Sequence, residues 1–413
     1  MSRFSPKTVS STISTRNLTV LGRYVKLNAL LAIIAAVLGL WALQLLFSYL
    51  SELDSLTDSY TMSDVIEYII YRSPYFLEQF MPTGALLGAV VGLGLLANKS
   101  ELVVMRAAGI SVYRIVGWVL QPALLFALLA LVINQFVLPT SNQLARDMNS
   151  SYANDNDNSG SLVTSVRGYW TMQPRFMTDT DTDTGDNADA ASLQPDGSDV
   201  LYIDYADVQG NIGEVKRWHL DNNGNLQTAI RAEGGKYIGR TAITASKDSP
   251  AQYRYEWQLN NMTTLTISQS FDASQAKQPS DTLSLPFAPE SVYLLTRQAE
   301  DLSLTQLYQH RQFMRGQNKR SLVHELEFWQ KLLSPLSILS LVIVACSFVF
   351  GSLRTHSLGL RIVVALLFGL LFSYIQDLVG FVSLATGFSP LLMVLLPIIA
   401  STVLGVYLLK RQM

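Results

Sequence analysis

Few side chains in this chain have the type and spacing that covalent chemistry needs. The four histidines, His219, His310, His324 and His356, are paired by spacing neither with one another nor with a nucleophile. His324 with Glu325 and Glu327 reads as helix surface rather than as a metal-ligand set. The single cysteine, Cys346, lies between Ala and Ser in an apolar run. That setting suits a small packing residue better than a nucleophile. One cysteine also excludes an intrachain disulfide framework and a multi-cysteine metal site. No GxxxxGKS/T, HExxH or GxSxG pattern occurs, so neither a phosphate cradle nor a hydrolytic centre is expected. The aspartate-rich run at 178–199, TDTDTDTGDNADAASLQPDGSD, lacks the glycine and terminal glutamate of a calcium loop. It reads as a solvated excursion. No catalytic residue, no metal and no cofactor is therefore expected.

Ionisable residues inside apolar runs are the next suspects. Glu78 and Asp377 each fall toward one end of such a run. Both read as interfacial or helix-terminal charges, and no chain of mid-depth charges suggests an ion relay. The segment NKSELVVMRAAGISVYRI (98–115) is more informative. Ser100-Glu101 is a helix start, and Leu102, Met105 and Gly109 recur about one turn apart beside Arg106. Two readings stand: a short amphipathic helix that docks on a soluble partner, or a polar linker.

These residues sit in a chain of 413 residues that is 49% hydrophobic and only 15% charged, where a soluble domain carries nearer a quarter. Thirty Lys+Arg against thirty-two Asp+Glu give a net charge of −2, which excludes a basic nucleic-acid-binding protein. Seventeen Phe, eighteen Tyr and six Trp exclude a disordered chain. Apolar runs at about 25–50, 74–97, 115–137, 329–350, 358–384 and 390–409 are long enough to cross a bilayer as helices. The first begins too late and runs too long for a signal peptide. Arg3, Lys7, Arg16, Arg23 and Lys26 precede the first run with no acid among them. Lys99, Arg106 and Arg114, Arg354, and Lys410 with Arg411 mark the other turns on that side. The opposite connection, 51–73, is acidic. The excess of Lys and Arg puts both termini in the cytoplasm and the polar block, about 139–325, outside. Within that block, 200–208, 216–220, 228–238, 252–259 and 263–271 alternate with period two. They predict an antiparallel sandwich, barrel or jelly roll, with Asn222-Asn223-Gly224 as a hairpin turn. A helix over 305–327 leads back to the membrane.

The stretch MPTGALLGAVVGLGLLANKSELVVMRAAGIS (81–111) resembles the signature of the LptF/LptG lipopolysaccharide-export permeases, and SELVVMRAAGIS is closest to the LptG branch. The resemblance covers both apolar halves, roughly 18–150 and 320–413. It implies an α-helical membrane protein with six transmembrane helices and an inserted periplasmic β-jellyroll domain. The division is then 1–138 (helices 1–3, with a coupling helix at 99–110), 139–304 (β domain) and 305–413 (juxtamembrane helix and helices 4–6). It further implies a Gram-negative inner-membrane permease subunit that is not itself an enzyme. Its partners would be an LptF-type permease, an LptB-type ATPase dimer and an LptC-type single-span protein, and its cargo lipopolysaccharide. No nucleic-acid partner is implied. Glu101, Arg106 and Gly109 map onto the coupling helix. Arg23 and Lys26 map onto the first-span basic residues that hold lipid phosphates, although 27–51 carries no Lys or Arg. Other readings of the same residues are the sibling LptF subunit and a non-transporting membrane scaffold.

Overall fold

The computed structural model describes residues 15–56, 60–156, 168–176, 195–207, 209–243, 252–267, 273–285, 288–316, 319–351 and 357–411. Arg3, Lys7, Arg354, His356 and most of the aspartate-rich stretch lie outside the described residues. The chain forms two compact units: 1–159 with 303–311 and 318–413, and 160–302 with 312–317.

The first unit is helical. Its main helices are α1 (Thr15–Glu52), α2 (Met62–Asn98), the short α3 (Glu101–Ala107) and α4 (Val112–Val132). A π turn over Ile133–Val137 joins α4 to α5 (Leu138–Asn156). The return half will be called α8 (Leu322–Phe350), α9 (Leu358–Thr386) and α10 (Pro390–Lys410). Six helices among the described residues have the length and composition to span a membrane, the third combining α4, the π turn and the first part of α5 as far as Arg146.

Three boundaries differ from those read in the sequence. The helix expected over 305–327 is two, Leu304–Gly316 and Leu322–Phe350, with 319–321 outside helix, so the fourth span starts at Leu322 rather than near 329. The 51–73 connection is largely helix, because α2 starts at Met62 rather than near Pro74. Asp64 accepts bonds from the backbone N–H and hydroxyl of Thr61, which starts the helix. Val65 and Ile69 then bury against Leu45 and Tyr49 of α1. Pro74 is absorbed inside the helix. The nearby carbonyls of Tyr71 and Ser73 accept bonds from Ser141 and from the Trp41 indole, the second at 3.0 Å, which tie this stretch of α2 to α5 and α1. The last difference is that the third span runs on as helix through Asn156, past the boundary drawn at 138.

Packing of α1 on α2 is set by glycine. A Cβ on Gly88 would collide with the backbone of Ile33. At Gly84 it would lie 2.9 Å from Cα of Val37, and at Gly92 3.2 Å from Cα of Ala29. The three contacts step by one turn along each antiparallel helix, so only glycine allows the backbones to approach this closely. On the return half, α8 touches its neighbours through serine. The Gln376 amide of α9 donates to Ser337 at 3.2 Å, and the Ser401 hydroxyl of α10 donates to Ser340 at 3.0 Å.

The second unit is an antiparallel sheet of eight strands: β1 (Tyr169–Phe176), β2 (Pro195–Ile203), β3 (Asn211–Ile212), β4 (Val215–Leu220), β5 (Leu226–Ala232), β6 (Gly234–Ile243), β7 (Gln252–Ile267) and β8 (Ala273–Leu285). The order is β1-β2-β4-β5-β7-β6-β3, with β8 also pairing β7. The sequence divided β7 at Asn260-Asn261, yet the strand is continuous. Its first part pairs β6 and its second β5, while β8 runs along its length. Asn261 takes a positive φ of 51° and bonds Glu233 through its amide at 2.8 Å. No rung forms between Asn261 and Pro279 on β8, where proline has no N–H to give. Trp257, Tyr202, Ile203 and Leu259 are buried in this unit. Asn222-Asn223-Gly224 is the turn between β4 and β5. There Asp221 accepts the backbone N–H groups of Asn225 and Asn223, each at 2.8 Å, which hold its carboxyl below the usual range. A short helix, α6 (Pro289–Thr296), and α7 (Leu304–Gly316) follow. The chain is thus an α-helical membrane protein with six spans and an inserted, curled antiparallel β domain of the jellyroll kind.

The glycine contacts give a paired test. Gly88→Ala is expected to lose about 1–3 kcal/mol through forced separation of α1 and α2. Gly39→Ala, on α1 with nothing within 4 Å of its added methyl, is expected to gain about 0.5–1 kcal/mol from helix propensity. Melting of the purified protein in detergent reads both; equal shifts would show that the close approach carries no weight.

Candidate functional site

The α2–α4 connection is built as a rigid protrusion. Ser100 precedes α3 in the left-handed region, with φ of 60°, and turns the chain sharply after Asn98. At the other end the N–H of Ile110 bonds the carbonyl of Met105 at 3.1 Å and that of Gly109 the carbonyl of Arg106 at 2.9 Å. Gly109, with φ of 87°, is the left-handed residue that this helix ending requires. Leu102, Met105 and Ile110 are buried under the bundle. Gly109 therefore terminates the helix and is not part of the apolar face on which its spacing placed it. The outward face carries Val103, Val104 and Arg106, with Val104 66% exposed. Glu101 is half-buried at the helix start. Its Oε1 accepts the Tyr24 hydroxyl of α1 at 3.3 Å, while its other oxygen has no partner.

Of the predicted residues, Glu101 and Arg106 share α3, and Gly109 closes it. Arg23 is exposed and Lys26 half-buried, in the same first turns of α1 as Tyr24. They stand at the α3 end of that helix, ~39 Å along it from Glu52. Tyr24, Val103 and Val104 were not singled out in the sequence. The valines had a signal: they fall between Leu102 and Met105, on the side of a helix opposite those two.

A second polar site lies toward the far end of α2. Glu78 is neither helix-terminal nor merely interfacial, as its position in the apolar run suggested. It lies well inside α2, since that helix begins at Met62. Its Oε1 accepts the Asn134 amide at 3.0 Å, Ser334 also hydrogen-bonds it, and Lys331 lies beside it. Asn134, in the π turn, and Lys331, on α8, are buried. Lys331 Nζ is 3.4 Å from Glu327 one turn earlier. Counting Glu78 and Asp377 as the charges within the spans missed Lys331, and also Arg361, which is 3% exposed in α9. Asp377 is exposed.

A third cluster joins α7 to the start of α8. Glu325 is buried between Arg311, at 3.6 Å, and Arg320, at 2.7 Å. The imidazoles of His310 and His324 stack with centroids 3.8 Å apart. In the sheet, His219 pairs across strands with Asp199 at 2.9 Å, beside Arg217. The Ser321 hydroxyl lies 2.7 Å from Nδ1 of His324 at the start of α8, and no metal-binding group of three or more His, Cys, Asp or Glu occurs among the described residues.

The lipopolysaccharide export system permease LptF/LptG family model matches residues 23–411. The chain belongs to that family. It is 25% identical over 394 residues to the lipopolysaccharide export system permease protein LptG of Escherichia coli strain K12, covering 95% of this chain and 98% of that protein. Against LptG of Haemophilus influenzae it is 26% identical over 393 residues, with the same coverage. The match to the LptF/LptG family spans both apolar halves and the β domain between them.

In this LptF/LptG family member the α7–α8 cluster supplies a pH test. Burial, and then the neighbouring His324, lower the His310 pKa to about 4, so the fold favours its neutral form. Unfolded histidine titrates near 6.5. The unfolded chain therefore binds more protons between those values. Stability is full above pH ~6.5, falls as the pH drops from there toward 4, and levels below. His310→Phe keeps a ring for stacking and is expected to flatten this part of the profile. Detergent melting at pH 7 and pH 5 checks it; an unchanged slope would remove His310 as its source.

Proposed function

We propose that this chain is a permease subunit of the transporter that extracts lipopolysaccharide from the inner membrane and passes it to a periplasmic bridge. The observation that carries the reading is α3: a helix capped at both ends by left-handed residues, seated on Leu102 and Met105, with Val103, Val104 and Arg106 facing outward. A linker needs no such caps, whereas a surface that receives force from a soluble partner does. The family membership and the LptG names of the two relatives support the substrate class and the LptG-type role.

In this reading α3 is the coupling helix and sits in a groove of an LptB-type ATPase dimer. An LptF-type permease completes the cavity and an LptC-type protein adds its single span. The chain supplies no nucleotide site and is not an enzyme; the ATPase supplies the energy. Divisions at 1–138, 139–304 and 305–413 follow the functional parts. Both termini are cytoplasmic and the β domain periplasmic, as the Lys and Arg excess beside the spans argues. Arg23 and Lys26, at the cytoplasmic end of α1, are the proposed phosphate contacts. Few charges in the spans suit a substrate with several acyl chains better than an ion-coupled route.

Glu101 bonds Tyr24 through Oε1, and its Oε2 is buried without a partner; the family resemblance, not exposure of that oxygen, supports setting the carboxylate near a basic group of the ATPase. A charge-assisted bond there is stronger than a neutral one, and truncating one partner of such a pair costs about 2–5 kcal/mol. Glu101→Lys is expected to lower ATPase retention or uncouple hydrolysis from lipopolysaccharide release, with all six spans inserted. Glu101→Gln is expected to be milder. Purified complexes, compared for ATPase retention, hydrolysis and release, decide it; three wild-type values would reduce α3 to a linker. For topology, a cysteine at the hairpin tip, Asn223→Cys, is expected to react with an impermeant maleimide in cells whose inner membrane is intact. Reaction only after that membrane is opened would invert the model.

A further inference from the structure

We propose that Glu78, Asn134 and Lys331 are positioning residues that pass the movement of α3 from α2 into α4 and α8. The proposal rests on reading α3 as the coupling helix. It deepens that reading by naming where the stroke leaves α2.

The geometry begins with α2, which is one helix from Met62 to Asn98, with Glu101 opening α3 just beyond it. Glu78 stands twenty residues back from Asn98, ~30 Å along the rod. A push on α3 therefore travels down α2 to Pro82, which cannot bond the Glu78 carbonyl one turn back, so the backbone ladder is interrupted at Glu78 and the side-chain bonds made there carry the contact onward. Between those ends α2 meets α1 through Gly84, Gly88 and Gly92. Contacts of that kind are held by dispersion, each atom pair weakly, and do not fix register along the axis. At Glu78 the contact changes kind. The carboxylate takes the Asn134 amide at 3.0 Å and the Ser334 hydroxyl, with Lys331 beside it. Hydrogen bonds are directional and strong in an apolar setting. They cannot slide without breaking, so here α2 drags its neighbours.

The identity of the neighbours supports the assignment. Asn134 belongs to the π turn Ile133–Val137, an irregularity that recurs at functional positions inside helices. It is the junction between α4, which leads back to α3, and α5. Lys331 and Ser334 belong to α8, whose Ser337 and Ser340 bond α9 and α10. One carboxylate thus links both the helix that follows α3 and the helix from which the return half is held. Lys331 pairs with Glu327 at 3.4 Å and lies near Glu78, so losing one of these buried polar groups disturbs the others.

The test uses the full complex with the ATPase and partner permease, reconstituted in vesicles. Three quantities are read per assembled complex: ATP hydrolysis, lipopolysaccharide released per ATP, and the melting midpoint. Glu78→Gln keeps the shape and an acceptor for Asn134 but removes the charge. It is expected to leave hydrolysis within about twofold and melting unchanged, while release per ATP falls about tenfold, a typical coupling factor. Asn134→Leu is expected to act in the same direction. Lys331→Met leaves two carboxylates without their cation; should it not assemble, Glu78→Gln with Lys331→Met removes the imbalance and is expected to assemble with the low ratio. A wild-type ratio in any assembled variant overturns the proposal. So does a parallel fall of hydrolysis, melting and release at constant ratio, which is the mark of a packing role alone. Wild-type ATPase retention, hydrolysis and release per ATP together in Glu101→Lys overturn the coupling-helix reading and this proposal with it. A lowered ratio in Glu101→Lys beside a wild-type ratio in Glu78→Gln overturns this proposal only.

Discussion

Helices in lipid gain little from merely burying apolar surface against one another, because the acyl chains are as apolar as leucine. Which helix sits where is then decided by close approach and by polar groups that must be satisfied inside the bundle. In this protein α8 carries most of that burden. Ser334, Ser337 and Ser340 recur every three residues and are all buried. Each step of three turns the side chain back by ~60° around the helix. Successive serines therefore address successive neighbours: Glu78 of α2, Gln376 of α9 and Ser401 of α10. Lys331 extends the series by one step toward α2 and the π turn. The remaining packing of the return half depends on this fan, since apolar side chains alone would accept several rotations of α8.

The α1–α2 pair obeys the opposite rule. There the contact is made by removing side chains, and Gly84, Gly88 and Gly92 let backbone lie on backbone. The two devices divide the labour. Glycine sets how near two helices come, and polar bonds set their register. At the end of α2 a third device appears, in which Ser100 and Gly109 bend the chain on either side of α3 at positive φ. That bracketing turns a seven-residue helix, too short to be stable alone, into a fixed part of the bundle surface.

Much of the fold was legible because it depends on local pattern. Six apolar runs gave six spans, and alternation with an Asn-Asn-Gly turn gave the β4–β5 hairpin. What failed did so where tertiary context outranks the local signal. Pro74 marked a boundary by type, but the Thr61–Asp64 bonds and the Val65–Ile69 contacts carry α2 across it. Asn260-Asn261 resembled a turn, yet Asn261 adopts its positive φ inside β7 with Glu233 as partner. Strand β8 had little period-two pattern to find, since 274–282 are exposed and only Leu283 reaches the core of the β domain among its described side chains. At the site, the motif pointed to Glu101 and Arg106. It could not show that Tyr24 holds Glu101, because seventy-seven residues separate them in sequence. Glu78 was visible as an oddity, but its meaning lies in Asn134 and Lys331, contributed by two other helices.

The long strand β7 has a mechanical consequence. Its bonds to β8 run from Tyr255↔Leu285 to Ile267↔Ala273, perpendicular to both strands. Tension applied along β8 would load these rungs together, in shear. Tension applied across the edge would open them one after another, like a zipper. The gap at Pro279 divides the row into two blocks, so the edge is strongest lengthwise and weakest under peeling. The β domain is thereby built to bear load along its strands, and its resistance to force has a direction that its thermal stability does not reveal.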